Sequence, residues 1–176
     1  MSEIRAVLFD LDGTLVDTAP DMANALNALL QQHGRVELPF SKIRPHVSHG
    51  ATALVKLGFE IDEHDPSFST LRQQYLDQYR SALDKDSKTF ADMENVLQHL
   101  ETQEKPWGVV TNKPAYLTEP LLRGLGLGAR SACVVSGDTL PRRKPHPDPL
   151  LYACQMIKQS PENVVYVGDC LIIWQA

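Results

Sequence analysis

Ile4-Arg5-Ala6-Val7-Leu8-Phe9-Asp10-Leu11-Asp12-Gly13-Thr14-Leu15-Val16-Asp17-Thr18 is the stretch on which the fold turns. The apolar run Ile4 to Phe9 reads as a short buried strand. Two carboxylates two residues apart at a strand's end project the same way along a pleated backbone. Gly13 then lets the chain turn out of the sheet with its amides exposed. Asp10 and Asp12 so placed can hold a divalent cation and offer a carboxylate nucleophile to an electrophile such as phosphorus. Taken alone, Asp12-Gly13 is equally an ordinary turn after a strand.

Outward from this stretch the chain turns helical. Thr18 and Asp21 have the spacing of a capping box, and Pro20 is tolerated in a first helical turn. Met22, Ala25, Leu26, Leu29 and Leu30 share one helical face, which Gly34 closes. A second helix is predicted over Ala51 to Leu57 with Gly58 as its stop. A third is predicted from about Thr70 to Leu83, with Leu71, Tyr75, Tyr79 and Leu83 along one side. No buried strand is predicted within residues 19–86, which therefore read as an inserted all-helical subdomain.

Beyond it, strand and helix periods alternate. Asp92 to Leu100 is predicted helical with Met93, Val96, Leu97 and Leu100 on a face, followed by the strand Trp107 to Thr111. A helix over Leu117 to Leu125 stops at Gly126, and a strand follows over Ala132 to Val135. A helix over Leu150 to Lys158 and a strand over Val164 to Val167 complete the pattern. Short connections between four such units predict an α/β, doubly wound, mostly parallel sheet with helices on both faces. Polar residues gather where each strand ends, which is where open α/β sheets place their sites. Thr111 and Asn112 offer a hydroxyl and an amide donor suited to phosphate oxygens. Lys144 is a cation in the stiff loop Pro141 to Pro149, beside Pro145. Asp169, after a buried strand and Gly168, is placed to ligate a metal.

Composition limits the function classes. The chain has 176 residues, 43% hydrophobic and 22% charged, with a net charge of −5. That charge, without any Lys/Arg run, argues against nucleic acid as a partner. No apolar run approaches the roughly 20 residues of a membrane helix, and no signal peptide is evident. Cys133, Cys154 and Cys170 lack Cys-x-x-Cys spacing and read as small core residues in a reducing compartment, so a cytoplasmic location is expected.

The ordered set Asp10 to Thr14, Val109 to Lys113, Lys144 and Gly168-Asp169 resembles the four motifs of the haloacid dehalogenase superfamily, in its phosphoglycolate phosphatase-like branch. The resemblance covers residues 1 to about 169 and implies a Rossmann-like core over 1–18 and 87–176, with a helical cap over 19–86. It implies that Asp10 attacks phosphorus, and that Asp12 protonates the leaving alcohol and later activates water. Thr111 and Asn112 would bind the phosphoryl group, and Lys144 would offset its charge. Mg²⁺ would be held by the Asp10 side chain, the Asp12 carbonyl and Asp169. The implied partner is a small phosphorylated metabolite, either phosphoglycolate or a sugar phosphate such as N-acetylmuramic acid 6-phosphate. A phosphomutase of the same architecture and a non-catalytic remnant are the alternatives.

Two regions carry further expectations. Within the cap, Arg44, His46, Ser48 and His49 surround Gly50, and Arg44 can pair with a substrate carboxylate. His49 joins it as a candidate specificity residue, whereas His146 beside Lys144 reads as a loop-fixing residue. After Asp169 the family pattern places a second acid four or five residues on, but Ile173 and Trp174 stand there. The tail Cys170 to Ala176 reads either as a shortened frame joined to a normal body or as a natural short variant. In the first case the core lacks its last strand, and the apolar edge of Val164 to Val167 is expected to promote self-association.

Overall fold

Strand β1 spans Ala6–Phe9 in the computed structural model, which describes residues 3–168. The expected strand is shorter at its start, because Ile4 is exposed. β1 pairs in parallel with β4 (Trp107–Val110) and with β6 (Val164–Val167), and β5 (Cys133–Val135) pairs in parallel with β4. The order β5-β4-β1-β6 confirms the parallel α/β reading and puts the first strand in the middle. Two two-residue strands, β2 (Val16–Asp17) and β3 (Lys88–Thr89), form a separate small sheet. Neither was expected, since two residues carry no period.

The alternation along β1 divides the core. Phe9 joins Leu15, Leu97, Trp107, Val109 and Leu121 on one face of the sheet. Ala6 and Leu8 join Val110, Cys133, Val135, Leu150 and Ala153 on the other. Helices α5 (Met93–Thr102) and α6 (Ala115–Gly124) supply the first cluster, and α7 (Asp148–Met156) the second. Burial on both faces is what makes these strands continuously apolar. Phe9 meets Trp107 edge to face at 6.4 Å, and the indole N–H donates to Glu101 at 3.0 Å. One expected core residue lies outside this packing: Val96 is 43% exposed, because the α5 stripe narrows to Leu97 and Leu100. Cys133 and Cys154 are free and buried, and burial pushes the Cys133 thiol up to about 11.

The chain divides into two compact units. One comprises the described residues up to Val16 and those from Thr89 onward, and the other is Asp17–Lys88. The second unit is built from α1 (Ala19–Gln32), α2 (Phe40–Ile43), a 3₁₀ turn over Arg44–His49, α3 (Gly50–Phe59) and α4 (Phe68–Arg80). The predicted α1 stripe is buried throughout, and Gly34 at φ 66° ends it with the Arg35 N–H returning to Leu30. The predicted α4 stripe Leu71, Tyr75, Tyr79 and Leu83 is buried as well, although the helix ends before Leu83. Tyr75 donates its hydroxyl to the Met22 carbonyl at 3.3 Å. No described helix is long and apolar enough to cross a membrane.

At two places the local structure differs from what the sequence predicts. Gly58 does not stop its helix. It lies inside α3, where a Cβ would stand 2.8 Å from Leu26 Cδ1 and 3.4 Å from Leu30 Cδ2. The glycine is there for close approach to α1, and Glu60, at φ 58°, takes the left-handed cap. The Thr18–Asp21 capping box is not made either, since Thr18 forms no side-chain cap hydrogen bond. Asp21, 1% exposed, instead accepts the N–H groups of Asp86 and Ser87 and the Ser87 hydroxyl, at 2.6–3.1 Å. A carboxylate beside the entry of the helical unit thus holds the chain as it leaves.

Hydrogen bonds to a charged acceptor are worth about 1.5–3 kcal/mol. Asp21→Asn should therefore lower the unfolding free energy by about 1–3 kcal/mol in a urea titration. A change within error would show that Asp21 does not hold the exit segment.

Candidate active site

The carboxyl ends of the central strands bring the candidate residues together. The Asp10 N–H donates to the Val167 carbonyl at 2.8 Å, so the β1–β6 register carries one residue beyond the strand. The chain then folds back on itself. Gly13, at φ 82°, donates to Val16, the Val16 N–H donates to Leu11, and the Leu15 N–H reaches the Asp10 carbonyl. Only glycine takes that φ without strain, so the loop keeps Asp10 and Asp12 at its start and Thr14 inside. The Thr14 hydroxyl is buried and lacks a hydrogen-bond partner among the described residues.

Each carboxylate of the motif is met by a lysine. Asp10 Oδ1 lies 2.8 Å from Lys144 Nζ and accepts the Leu11 N–H at 2.8 Å. Lys144 also donates to the Val110 carbonyl at 2.9 Å and to the Tyr166 hydroxyl at 2.6 Å. Its ammonium stands 5.2 Å from the centre of the Tyr166 ring. Burial raises the Asp10 carboxyl above its ordinary value, and the Lys144 charge draws it partly back. Asp12 Oδ1 lies 2.8 Å from Lys113 Nζ, and the side chains are 20% and 5% exposed.

The loops after β4 and β5 complete the cluster. Thr111 is buried; its N–H donates to Val135, and its hydroxyl oxygen accepts the Lys113 N–H at 3.1 Å. Asn112 donates its amide to the Lys144 carbonyl at 3.0 Å. It thereby ties the lysine loop, a role its placement in the sequence did not suggest. The Gly137 N–H donates to Lys113 at 2.9 Å, and a Cβ on Gly137 would fall 2.1 Å from the Asn112 carbonyl oxygen. His146 Nδ1 accepts the Asp148 N–H at 3.3 Å, which fits the loop-fixing reading.

Asp10, Asp12, Thr111, Asn112 and Lys144 thus meet around one set of strand ends. Asp169 lies outside the described residues. Arg44 and His49 belong to the helical unit. Arg44 binds Asp17 through both terminal nitrogens at 3.1–3.2 Å and stacks 5.6 Å from the Phe40 ring centre. His49 is exposed at the end of the 3₁₀ turn. Lys113 and Tyr166 are the two site residues without a role in the sequence reading. Thr111-Asn112-Lys113 was visible as a strand end, but the partner of Lys113 lies 101 residues away. Tyr166 reads simply as a strand residue.

The donor set suits a hard cation. The Asp10 carboxylate and the Asp12 carbonyl are oxygen ligands of the kind Mg²⁺ prefers. Among the described residues no three His, Cys, Asp or Glu side chains gather into a metal cluster, and the third expected acid is Asp169.

Comparison with known proteins places the chain in a family. The model of the haloacid dehalogenase-like hydrolase family matches residues 7–172. An N-acetylmuramic acid 6-phosphate phosphatase from Pseudomonas putida is 40% identical over 168 residues, covering 96% of this chain and 75% of the relative. A phosphoglycolate phosphatase from Xylella fastidiosa is 42% identical over 166 residues, covering 94% and 72%. The crystal structure of a predicted phosphoglycolate phosphatase from Haemophilus somnus superposes with a TM-score of 0.82 at 28% identity, covering 96% of this chain and 78% of that one.

Tyr166 gives the cluster a direct test. Tyr166→Phe removes one of the acceptors that hold the partly buried Lys144 ammonium. A net hydrogen bond of this kind is worth about 1 kcal/mol, so the unfolding midpoint in urea should fall accordingly. An unchanged midpoint would mean that the hydroxyl does not hold the lysine.

Proposed function

Because the chain belongs to the haloacid dehalogenase-like hydrolase family, we propose that it hydrolyses small phosphomonoesters through an aspartyl-phosphate intermediate. The observation that carries this reading is the Asp10 carboxylate at the end of the central strand, held 2.8 Å from Lys144 with Asp12 two residues on. A carboxylate oxygen of Asp10 attacks phosphorus, and the bond to the leaving oxygen breaks as Asp12 gives that oxygen a proton. Asp12 then takes a proton from water, which attacks the phosphoryl group and regenerates Asp10. Lys144 offsets charge on the nucleophile and the phosphoryl oxygens. The Thr111 hydroxyl, whose oxygen already accepts the Lys113 N–H, donates a hydrogen bond to a phosphoryl oxygen. Mg²⁺ would be held by the Asp10 carboxylate, the Asp12 carbonyl and Asp169, and when bound it supplies the positive charge that lets a dianionic phosphate approach a carboxylate.

Residues 19–86 act in this reading as a helical cap that governs substrate choice. The two relatives' substrates, N-acetylmuramic acid 6-phosphate and phosphoglycolate, each carry a carboxylate as well as a phosphate ester. Arg44 already grips a carboxylate, that of Asp17, with its planar guanidinium. Exchange of Asp17 for a substrate carboxylate would make the substrate a phosphorylated acid. His49 would contribute on the same unit. A cytoplasmic location belongs to this reading and is supported by the free buried thiols of Cys133 and Cys154.

Two predictions test the proposal by phosphate release in the presence of Mg²⁺. Asp10→Asn should abolish turnover, because an amide cannot form the acyl-phosphate, and Asp12→Asn should cost about 10²- to 10⁴-fold. Wild-type rates in Asp10→Asn would end the aspartyl-phosphate assignment. Arg44→Met should reduce the preference for phosphoglycolate over ethyl phosphate by about 10- to 100-fold, the equivalent of one charge-assisted contact. An unaltered preference would move acid recognition away from Arg44.

A further inference from the structure

We propose that Lys113 is a positioning residue for Asp12, fixing the carboxyl group that serves the leaving oxygen to the same loop that presents Thr111. This assignment rests on the phosphomonoesterase reading above and adds to it a residue that neither catalyses the reaction nor binds the phosphoryl group.

Lys113 is only 8% exposed, and a lysine so placed is stable as an ammonium only where its charge is met. It meets Asp12 Oδ1 at 2.8 Å, among its contacts. The rest of Lys113 is unusually well fixed. Its N–H donates to the Thr111 hydroxyl at 3.1 Å. Its carbonyl accepts the Gly137 N–H at 2.9 Å and the Thr118 hydroxyl at 3.1 Å. The loop after β5 is pressed against this segment so closely that only glycine fits at 137. The ammonium therefore extends from a backbone anchored to β4, α6 and the 137 turn.

Asp12 sits differently. It follows β1 in a loop closed by its own backbone, and its side chain is 20% exposed. A partly exposed aspartate samples several rotamers, and general acid catalysis needs one of them held within hydrogen-bond reach of the leaving oxygen. Lys113 removes that freedom by tying Oδ1 to the fixed loop. The Thr111 hydroxyl and the Asp12 carboxyl then keep a constant separation, because both are bonded to the same lysine. One of these groups faces the transferring phosphoryl oxygens, and the other faces the leaving alcohol. Lysine provides this with a long stem and a compact charge, which a neutral residue of the same length would not offer to Asp12 Oδ1.

The consequence is specific to the leaving group. In the phosphorylation step Lys113 holds Asp12 Oδ1, and a proton carried on Oδ2 passes to the departing oxygen as the phosphorus–oxygen bond breaks. An alkoxide needs that proton, while p-nitrophenolate leaves readily without it. Since kcat/KM covers events through the first irreversible step, it isolates phosphorylation for both kinds of ester.

The test compares wild type, Lys113→Met, Lys113→Arg and Asp12→Asn on phosphoglycolate and on p-nitrophenyl phosphate, with Mg²⁺ present. Lys113→Met should lose about 10- to 100-fold in kcat/KM on phosphoglycolate, within the range available to general acid catalysis, and no more than about threefold on p-nitrophenyl phosphate. Asp12→Asn should show the same asymmetry, and Lys113→Met should add little to it in the double variant. Lys113→Arg retains the charge and should recover part of the alkyl-ester rate. Equal losses on the two esters, or no loss on either, would overturn the assignment, since a structural or phosphate-binding role does not distinguish leaving groups. If Lys113→Met does not fold, the same comparison is read from Lys113→Arg, whose longer, forked head should misplace Asp12 and give a smaller loss of the same asymmetry. Failure of the wild-type chain to release phosphate from either ester would overturn the underlying phosphatase reading, and this assignment with it.

Discussion

Two lysines against two aspartates is the arrangement on which the site depends. Asp10 and Asp12 leave one strand end together, and a pair of carboxylates this close is unfavourable in a partly dry environment. Lys144 and Lys113 each stand 2.8 Å from one of them. With an effective dielectric constant of about 20, each contact has a gross attraction of about 6 kcal/mol. Desolvation of four side chains cancels much of this. What survives is geometric constraint rather than stability: neither aspartate can move without giving up its contact to a lysine. The raised Asp10 carboxyl indicates that the compensation is incomplete.

The rest of the sheet-bearing unit serves to hold that constraint still. β1 is central, so its end is braced by β4 on one side and β6 on the other. Each neighbouring strand also supplies an acceptor to Lys144, the Val110 carbonyl from β4 and the Tyr166 hydroxyl from β6. Core packing on both faces, from Phe9 and Trp107 to Leu8 and Leu150, keeps the strand ends from sliding. Packed interiors transmit position faithfully because they contain little slack. A one-residue slip of β1 would exchange its two faces and carry Asp10 away from Lys144.

The sequence shows the strands and their ends because burial on both faces writes a continuous apolar run, and polar residues interrupt it abruptly. Val164–Val167 was readable to the residue as such a run, although Val165 and Val167 are exposed, and the stripe of α1 was readable by its helical period. Glycines were read less well. Gly34 and Gly58 look alike in a sequence, but one supplies a left-handed turn and the other room for Leu26. Chemistry-bearing residues divide in the same way. Asp10, Asp12 and Lys144 stand out by type and order, whereas Lys113 and Tyr166 acquire meaning only when the fold brings them within 3 Å of Asp12, 101 positions away, and Lys144, 22 positions away. Asn112 shows the converse, a residue whose type suggested a ligand and whose amide is bonded to the Lys144 carbonyl.

The helical unit raises a different physical question, which is how a long segment can be inserted directly after the central strand without disturbing it. Loop closure costs entropy that grows only slowly with length, so the size of the insertion matters little if its ends can be brought together. Asp21 does this. It stands two residues into the first helix and accepts hydrogen bonds from residues 86 and 87 as the chain leaves the unit. The unit's entry and exit are thereby joined by contacts that it makes within itself. The helices can then pack through Leu26, Leu30, Tyr75 and Tyr79 as an independent core. Read as a capping box, Asp21 would stabilise one helix end; as a clamp, it fixes the span that the strand ends must accommodate. Substitutions within the helices can then alter the unit's surface while the register of β1, and with it the two lysine–aspartate pairs, stays as it is.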